Sequence, residues 1–178
     1  MNKQYNDSGG KSREVTPGGI DFEKIPSDLK IIPNWVLWNL EPNKDGRMTK
    51  KPYQCNGDPA KNNDPSTWAN FETVVASYEL GGCSGIGFVF QKSCGIIGID
   101  LDHVVDPETG KVIVPWALKI VQDLKSYTEY SPSGDGLHIF CKGSIPENGK
   151  DGVESHLPHI EMYCDRLYFT VTGRVFHA

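Results

Sequence analysis

A chain of 178 residues with 38% hydrophobic content and a net charge of −5 is long enough for one domain with a sizeable core. A pI near 5.5 argues against a generally basic nucleic-acid-binding surface but leaves room for a local basic groove, because phosphate contact follows the local field. Cys55, Cys83, Cys94, Cys141 and Cys164 are odd in number and too scattered for a zinc-type pair, no secretory signal is visible, and no apolar run approaches membrane-spanning length. The expectation is a reducing cytoplasm, thiols packed as small residues and no membrane partner, with zinc held by distant cysteines as the alternative.

Residues 1–20 are polar and read as a disordered tail, with order starting near Ile25 or Leu29 and a domain over residues 21–178. Trp35-Val36-Leu37-Trp38 suits a strand, Glu41–Arg47 a turn, and Lys50-Lys51-Pro52-Tyr53 a second extended piece. Together they predict a hairpin carrying Lys44, Arg47, Lys50 and Lys51. Asp64-Pro65-Ser66-Thr67 signals a helix start, with Trp68, Phe71, Val75 and Tyr78 at helical spacing and Gly81-Gly82 as the stop.

Residues 85–90 and 96–101 read as strands around a Gln91–Gly95 turn. Pro115 opens another helix, with Trp116, Ile120, Val121 and Leu124 on one face. Strand-like runs follow at 127–130, 137–141, 159–163 and 167–172. The fold class is α+β: a mixed, largely antiparallel sheet flanked by helices, since adjacent late strands favour antiparallel pairing over βαβ winding.

Three segments carry the chemistry. In Gly98-Ile99-Asp100-Leu101-Asp102, strand alternation puts Gly98, Asp100 and Asp102 on one face. Two carboxylates at i and i+2 suit Mg²⁺ or Mn²⁺, and Gly98 leaves room for a ligand to approach; the plainer reading is a strand end running into a turn. In Ser131-Pro132-Ser133-Gly134-Asp135-Gly136-Leu137-His138, a tight loop offers backbone amides to an anion, and His138 follows in a strand beside Phe140. The plainer readings are a hairpin turn and a packed core histidine. In Ile160-Glu161-Met162-Tyr163, Glu161 faces opposite to Ile160 and Met162, where a carboxylate needs a cation or donors beside it. Pairing near the Asp100 strand would complete a three-carboxylate site for two metals; otherwise Glu161 is an exposed edge residue. No Walker-type phosphate loop and no Gly-x-Ser-x-Gly elbow occurs.

In order and flanks these segments resemble the archaeo-eukaryotic primase superfamily, in particular its primase-polymerase branch in phage and plasmid replication proteins. The resemblance runs over about residues 29–175, including Trp35–Trp38 and Lys51-Pro52-Tyr53 upstream and Arg166–Gly173 downstream. It implies a primase-polymerase-like core with Asp100, Asp102 and Glu161 as catalytic residues and ligands of two Mg²⁺ or Mn²⁺ ions. It also implies Ser131, Ser133, Gly134, Gly136 and His138 at the nucleotide, with Arg166, Lys50 and Lys51 as triphosphate or template contacts or else as solvated charges. The implied partners are nucleoside triphosphates, a DNA template and primer, and a helical or helicase region of a longer protein. Two other readings stand beside it: a non-catalytic nucleic-acid-binding module of the same fold, and a metal-dependent glycosyltransferase using Asp-x-Asp.

Overall fold

The structure, a computed structural model, describes residues 19–145 and 159–178. Most of the expected polar tail, residues 1–18, lies outside the described residues. Order begins earlier than Ile25: the Asp21 amide donates to Thr172 O at 3.0 Å, and Ile20 and Phe22 pack on the core.

Eight strands and three helices alternate along the described chain. β1 (Trp35–Pro42) and β2 (Met48–Tyr53) form the expected hairpin, pairing Leu37 with Tyr53 through to Pro42 with Met48. Its turn is closed by Asn43, whose Oδ1 accepts the amides of Asp45 and Arg47, both at 2.9 Å. Helix α1 (Ser27–Lys30) is a single turn that buries Leu29.

Helix α2 spans Phe71–Glu79 and starts later than the Asp64 signal predicts. Asp64 caps only the short turn Pro65–Thr67, accepting from the Ser66 amide at 3.2 Å. The chain then runs extended because Ala69 exchanges two backbone hydrogen bonds with Trp35, at 3.0 and 2.9 Å. Asn70 is the cap that opens α2, accepting from the Thr73 amide at 2.9 Å. Helix α3 (Pro115–Leu124) buries Ala117 and Val121, with Trp116 and Ile120 beside them; Leu124, expected on that face, is left partly exposed.

The strands divide between two four-stranded sheets, and every neighbouring pair is antiparallel. The first has the order β2-β1-β3-β8, with β3 at Gly85–Val89 and β8 at Tyr168–Val171. The second has the order β5-β6-β4-β7: Tyr127–Tyr130, Leu137–Lys142, Ile96–Leu101 and Ile160–Tyr163. The strands on either side of the Gln91–Gly95 turn therefore belong to different sheets, and the turn is the crossover between them. The first sheet curls: the Tyr168 hydroxyl on one edge strand donates to Lys50 O on the other at 2.6 Å.

Alternation gives the second sheet two distinct faces. Ile99, Leu101, Leu137, Ile139, Cys141 and Ile160 pack against α3. Ile96 and Phe140 point the other way, into an aromatic core with Trp35, Phe71, Phe88, Phe90 and Phe169. Edge-to-face pairs such as Phe90–Phe169, 4.8 Å between centroids, each add about 0.5–1.5 kcal/mol beyond area burial.

Gly98 belongs to this aromatic core, which corrects the expectation that it makes space for a ligand. A Cβ there would lie 2.3 Å from Phe90 Cζ and 2.6 Å from Phe169 Cε2. The missing side chain admits two rings, leaving no opening.

Candidate active site

Strand β4 is the middle of the arrangement. Asp100 lies directly opposite His138 of β6 on one side and Glu161 of β7 on the other, and His138 in turn faces Glu129 of β5. One row across four strands therefore reads Glu129, His138, Asp100, Glu161, all on the face turned toward the first sheet. The strand-pairing condition set by the sequence for Glu161 is met. The row runs out from the sealed core into a cleft of about 260 Å³ lined by Lys50, Asp100, His138, Glu161, Tyr163 and Tyr168, among others.

His138 is held on all sides. Its side chain is 6% exposed and stacks on Phe169 with centroids 4.8 Å apart. Nδ1 donates to Thr170 O at 2.9 Å, while Nε2 lies 3.7 Å from Asp100 Oδ1. Burial disfavours its charged form, but Glu129 and Asp100 outweigh that and raise its pKa above the usual histidine value.

Asp100 is the strained member. Its side chain is 21% exposed, yet Oδ1 is buried with no hydrogen-bond partner. Burial raises its pKa, His138 and Lys50 pull it down, and the charges of Asp102 and Glu161 push it up again. Glu161 accepts a hydrogen bond from the Tyr163 hydroxyl, two residues along the same face. Burial and that bond hold the Tyr163 pKa well above the usual range, so the phenol remains a donor.

Asp102 sits in the turn just past β4, exposed, with its amide on His159 O at 3.0 Å. Its charge reaches Asp100 and Tyr163, but it does not line the cleft. Among the described residues no three His, Cys, Asp or Glu side chains are gathered tightly enough to form a ready-made metal cage. The donors nevertheless suit a hard divalent cation: an unpartnered buried carboxylate oxygen, a second carboxylate opposite it, and a third within electrostatic reach.

The Ser131–Gly136 loop lies apart from the cleft and largely satisfies itself. Ser131 Oγ meets Ser133 Oγ at 2.9 Å and accepts the Gly136 amide at 3.2 Å; Ser133 donates to Asp135 Oδ1 at 2.5 Å. The amides of Ser131 and Gly134 are also spent within the loop, at 2.9 and 3.0 Å. Gly136 is needed for packing, since a Cβ there would sit 2.8 Å from Leu101 O. Three of the amides expected to line an anion are thus already engaged.

The basic residues sort by face. Lys50 lines the cleft, whereas Lys51 reaches Glu41 Oε2 at 3.4 Å and Pro42 O at 3.1 Å. Arg166 is exposed, with Nε 3.4 Å from Asp165 Oδ2, and lies outside the cleft walls. Glu129, which is not among the candidate residues named from the sequence, is completely buried. A carboxylate inside Tyr127-Thr128-Glu129-Tyr130 carries the same signal that singled out Glu161: a charge in an apolar strand needs partners.

No protein-family model matches the chain. A curated relative, named DNA primase-polymerase, comes from Nitratiruptor phage NrS-1 and is 40% identical over 150 residues, 83% of this chain. The chain is a relative of that phage primase-polymerase. The resemblance to phage primase-polymerases is borne out. The chain spans 20% of the length of the curated relative it matches, so that protein is much the larger. Among the described residues no helix is long and apolar enough to cross a membrane.

Proposed function

We propose that this chain is the catalytic part of a template-directed nucleotidyltransferase, a DNA primase-polymerase serving phage or plasmid replication. The observation that carries the reading is the cross-strand row Asp100, His138 and Glu161, opening into a cleft that also holds Lys50. A lone Asp-x-Asp would leave the glycosyltransferase reading equally good. A buried histidine in register with the first aspartate, together with the phage relative, favours nucleotidyl transfer.

In this reading the 3′-oxygen of a primer, or of a first nucleotide during priming, attacks the α-phosphorus of a nucleoside triphosphate in line. The new phosphodiester bond forms as the bond to the β-phosphate oxygen breaks, and pyrophosphate leaves. Asp100, Asp102 and Glu161 would hold two Mg²⁺ or Mn²⁺ ions, which when bound supply activation of the attacking oxygen and stabilisation of developing charge. His138 turns Nε2 toward the cleft, where a hydrogen bond to a phosphate oxygen orients the triphosphate. Lys50 supplies positive charge to the same space. The DNA template and primer, and a helicase or helical region of a longer protein, are the proposed partners.

The test is nucleotide incorporation on a primer-template by the purified chain, with divalent cation present. Asp100→Ala and Asp102→Ala are expected to abolish incorporation while keeping the native circular dichroism spectrum. Full activity in either variant would overturn the assignment.

A further inference from the structure

Glu129 plays no part in the reaction as described, yet it is the most thoroughly held side chain in the row. It is 0% exposed and accepts from Thr172 N at 3.0 Å, Gly173 N at 2.8 Å and Tyr127 Oη at 2.6 Å. Three donors converge on this one buried carboxyl group, and burial together with Glu129 holds Tyr127 protonated as one of them. Its Oε1 also lies 3.8 Å from His138 Nδ1.

These bonds do more than satisfy a charge. The amides of Thr172 and Gly173 belong to the chain directly after β8, so Glu129 ties the end of a strand in the first sheet to β5 in the second. Two and three residues before Thr172 are the groups that set the His138 ring: Thr170 O on Nδ1 and the Phe169 ring against the imidazole face. Thr172 Oγ1 adds a bond to Tyr130 O at 2.8 Å, bracing the same junction. Moving the carboxylate would release the strand end, and with it the carbonyl and the ring that aim Nε2 at the cleft.

We propose that Glu129 is a positioning residue, a buried clamp between β5 and the end of β8 that fixes the orientation of His138 toward a bound triphosphate. The inference rests on the nucleotidyltransferase reading for the identity of the ligand, but not for the geometry of the clamp. Glu129 never meets the nucleotide; its whole effect on binding passes through the imidazole.

Glu129→Gln keeps the shape but turns one accepting oxygen into an NH₂ donor, so the three donors can no longer all be met. Titrating ATP and dATP with Mg²⁺ into the folded variant should show affinity lowered about tenfold, in line with the loss of a residue that orients a ligand-binding histidine. In primer extension the apparent KM should rise more than kcat falls. In a His138→Ala background the same substitution should cost nothing further, because a residue acting only through His138 has nothing left to orient. Unchanged affinity in Glu129→Gln, or a full additional loss in the His138→Ala background, overturns the proposal.

Should Glu129→Gln fail to fold, the wild-type protein still decides. Its His138 Nδ1 proton is expected in the NMR spectrum as a slowly exchanging, hydrogen-bonded imidazole signal, and rapid exchange would sink the clamp. Wild-type protein that binds triphosphate without incorporating it would remove the transferase reading alone. Wild-type protein that binds no triphosphate would remove the ligand, leaving the imidazole signal to judge the geometry.

Discussion

Asp100→Asn should make the cation-free protein more stable while removing its response to divalent metal. Asp100 is buried with one oxygen unpartnered, and its pKa is raised first by burial, with Asp102 and Glu161 adding repulsion. A carboxyl whose pKa is higher in the folded state costs the fold free energy at neutral pH, where it must ionise. An amide keeps the outline and drops the charge. The amide still leaves a polar atom buried and unpaired, so only the cost of ionising is recovered, about 1.4 kcal/mol if burial moves the titration by one pH unit. Against that stands the lost attraction to His138 Nε2 at 3.7 Å, so the net gain is on the order of 1 kcal/mol. For a chain of this size that is about 2–4 °C in melting temperature. Cation at a hundred times its dissociation constant should stabilise the wild type by about 2.7 kcal/mol. The same scaling puts that rise at about 5–11 °C. The assay is thermal unfolding in chelator and then across an Mn²⁺ titration, for both proteins. A variant that melts below the wild type in chelator would show that the Asp100 charge is no burden on the fold, and one that keeps the full Mn²⁺ shift would show that Asp100 holds no metal.

Gly98→Ala should destabilise by about 1–3 kcal/mol through overpacking against Phe90 and Phe169, measured by urea unfolding; a neutral result would mean the ring contacts are slack. Lys50→Ala should raise the apparent KM for nucleotide about tenfold, as expected for losing a charged phosphate contact, while Lys51→Ala leaves it unchanged. Equal effects from the two lysines would contradict the assignment of faces. Asp135 feels opposing influences: burial raises its pKa, but hydrogen bonds from Ser133 and His103 outweigh it and leave the pKa below the usual range. The stability it contributes is present above the ordinary aspartate pKa and lost as pH falls through the lower folded value. Asp135→Asn should therefore cost stability at neutral pH and converge with the wild type in strong acid, checked by melting curves from pH 7 to pH 2. A difference that persists undiminished in acid would rule out the ionised form as its source.

Most of the secondary structure was legible because strand alternation and helix signals are local. The hairpin of β1 and β2, the helix opened by Pro115 and the two faces of β4 all follow from neighbours in sequence. The start of α2 was misplaced because Asp64 caps well locally, while the pairing of Ala69 with Trp35 is a tertiary event that no local signal carries. Gly98 was misread for the same reason: the rings that need its missing Cβ come from Phe90 and from Phe169, far along the chain. In the site, Asp100, His138 and Glu161 were visible as polar residues in apolar strands. Which basic residue faces them depends on the curl of the first sheet, which brings Lys50 to the cleft and turns Lys51 toward Glu41. Glu129 carried the same signal as Glu161 but lay outside any familiar motif.

Triphosphate and cation are expected to meet at the row across β6, β4 and β7. The deciding measurement is a crystal structure of the protein with Mn²⁺ and a nucleoside triphosphate, read in the anomalous signal of the metal. Manganese is expected at the carboxylates of Asp100 and Glu161, with a phosphate oxygen in hydrogen-bond reach of His138 Nε2. Manganese and triphosphate bound together elsewhere, with the Asp100 oxygen still unpartnered, would contradict this expectation.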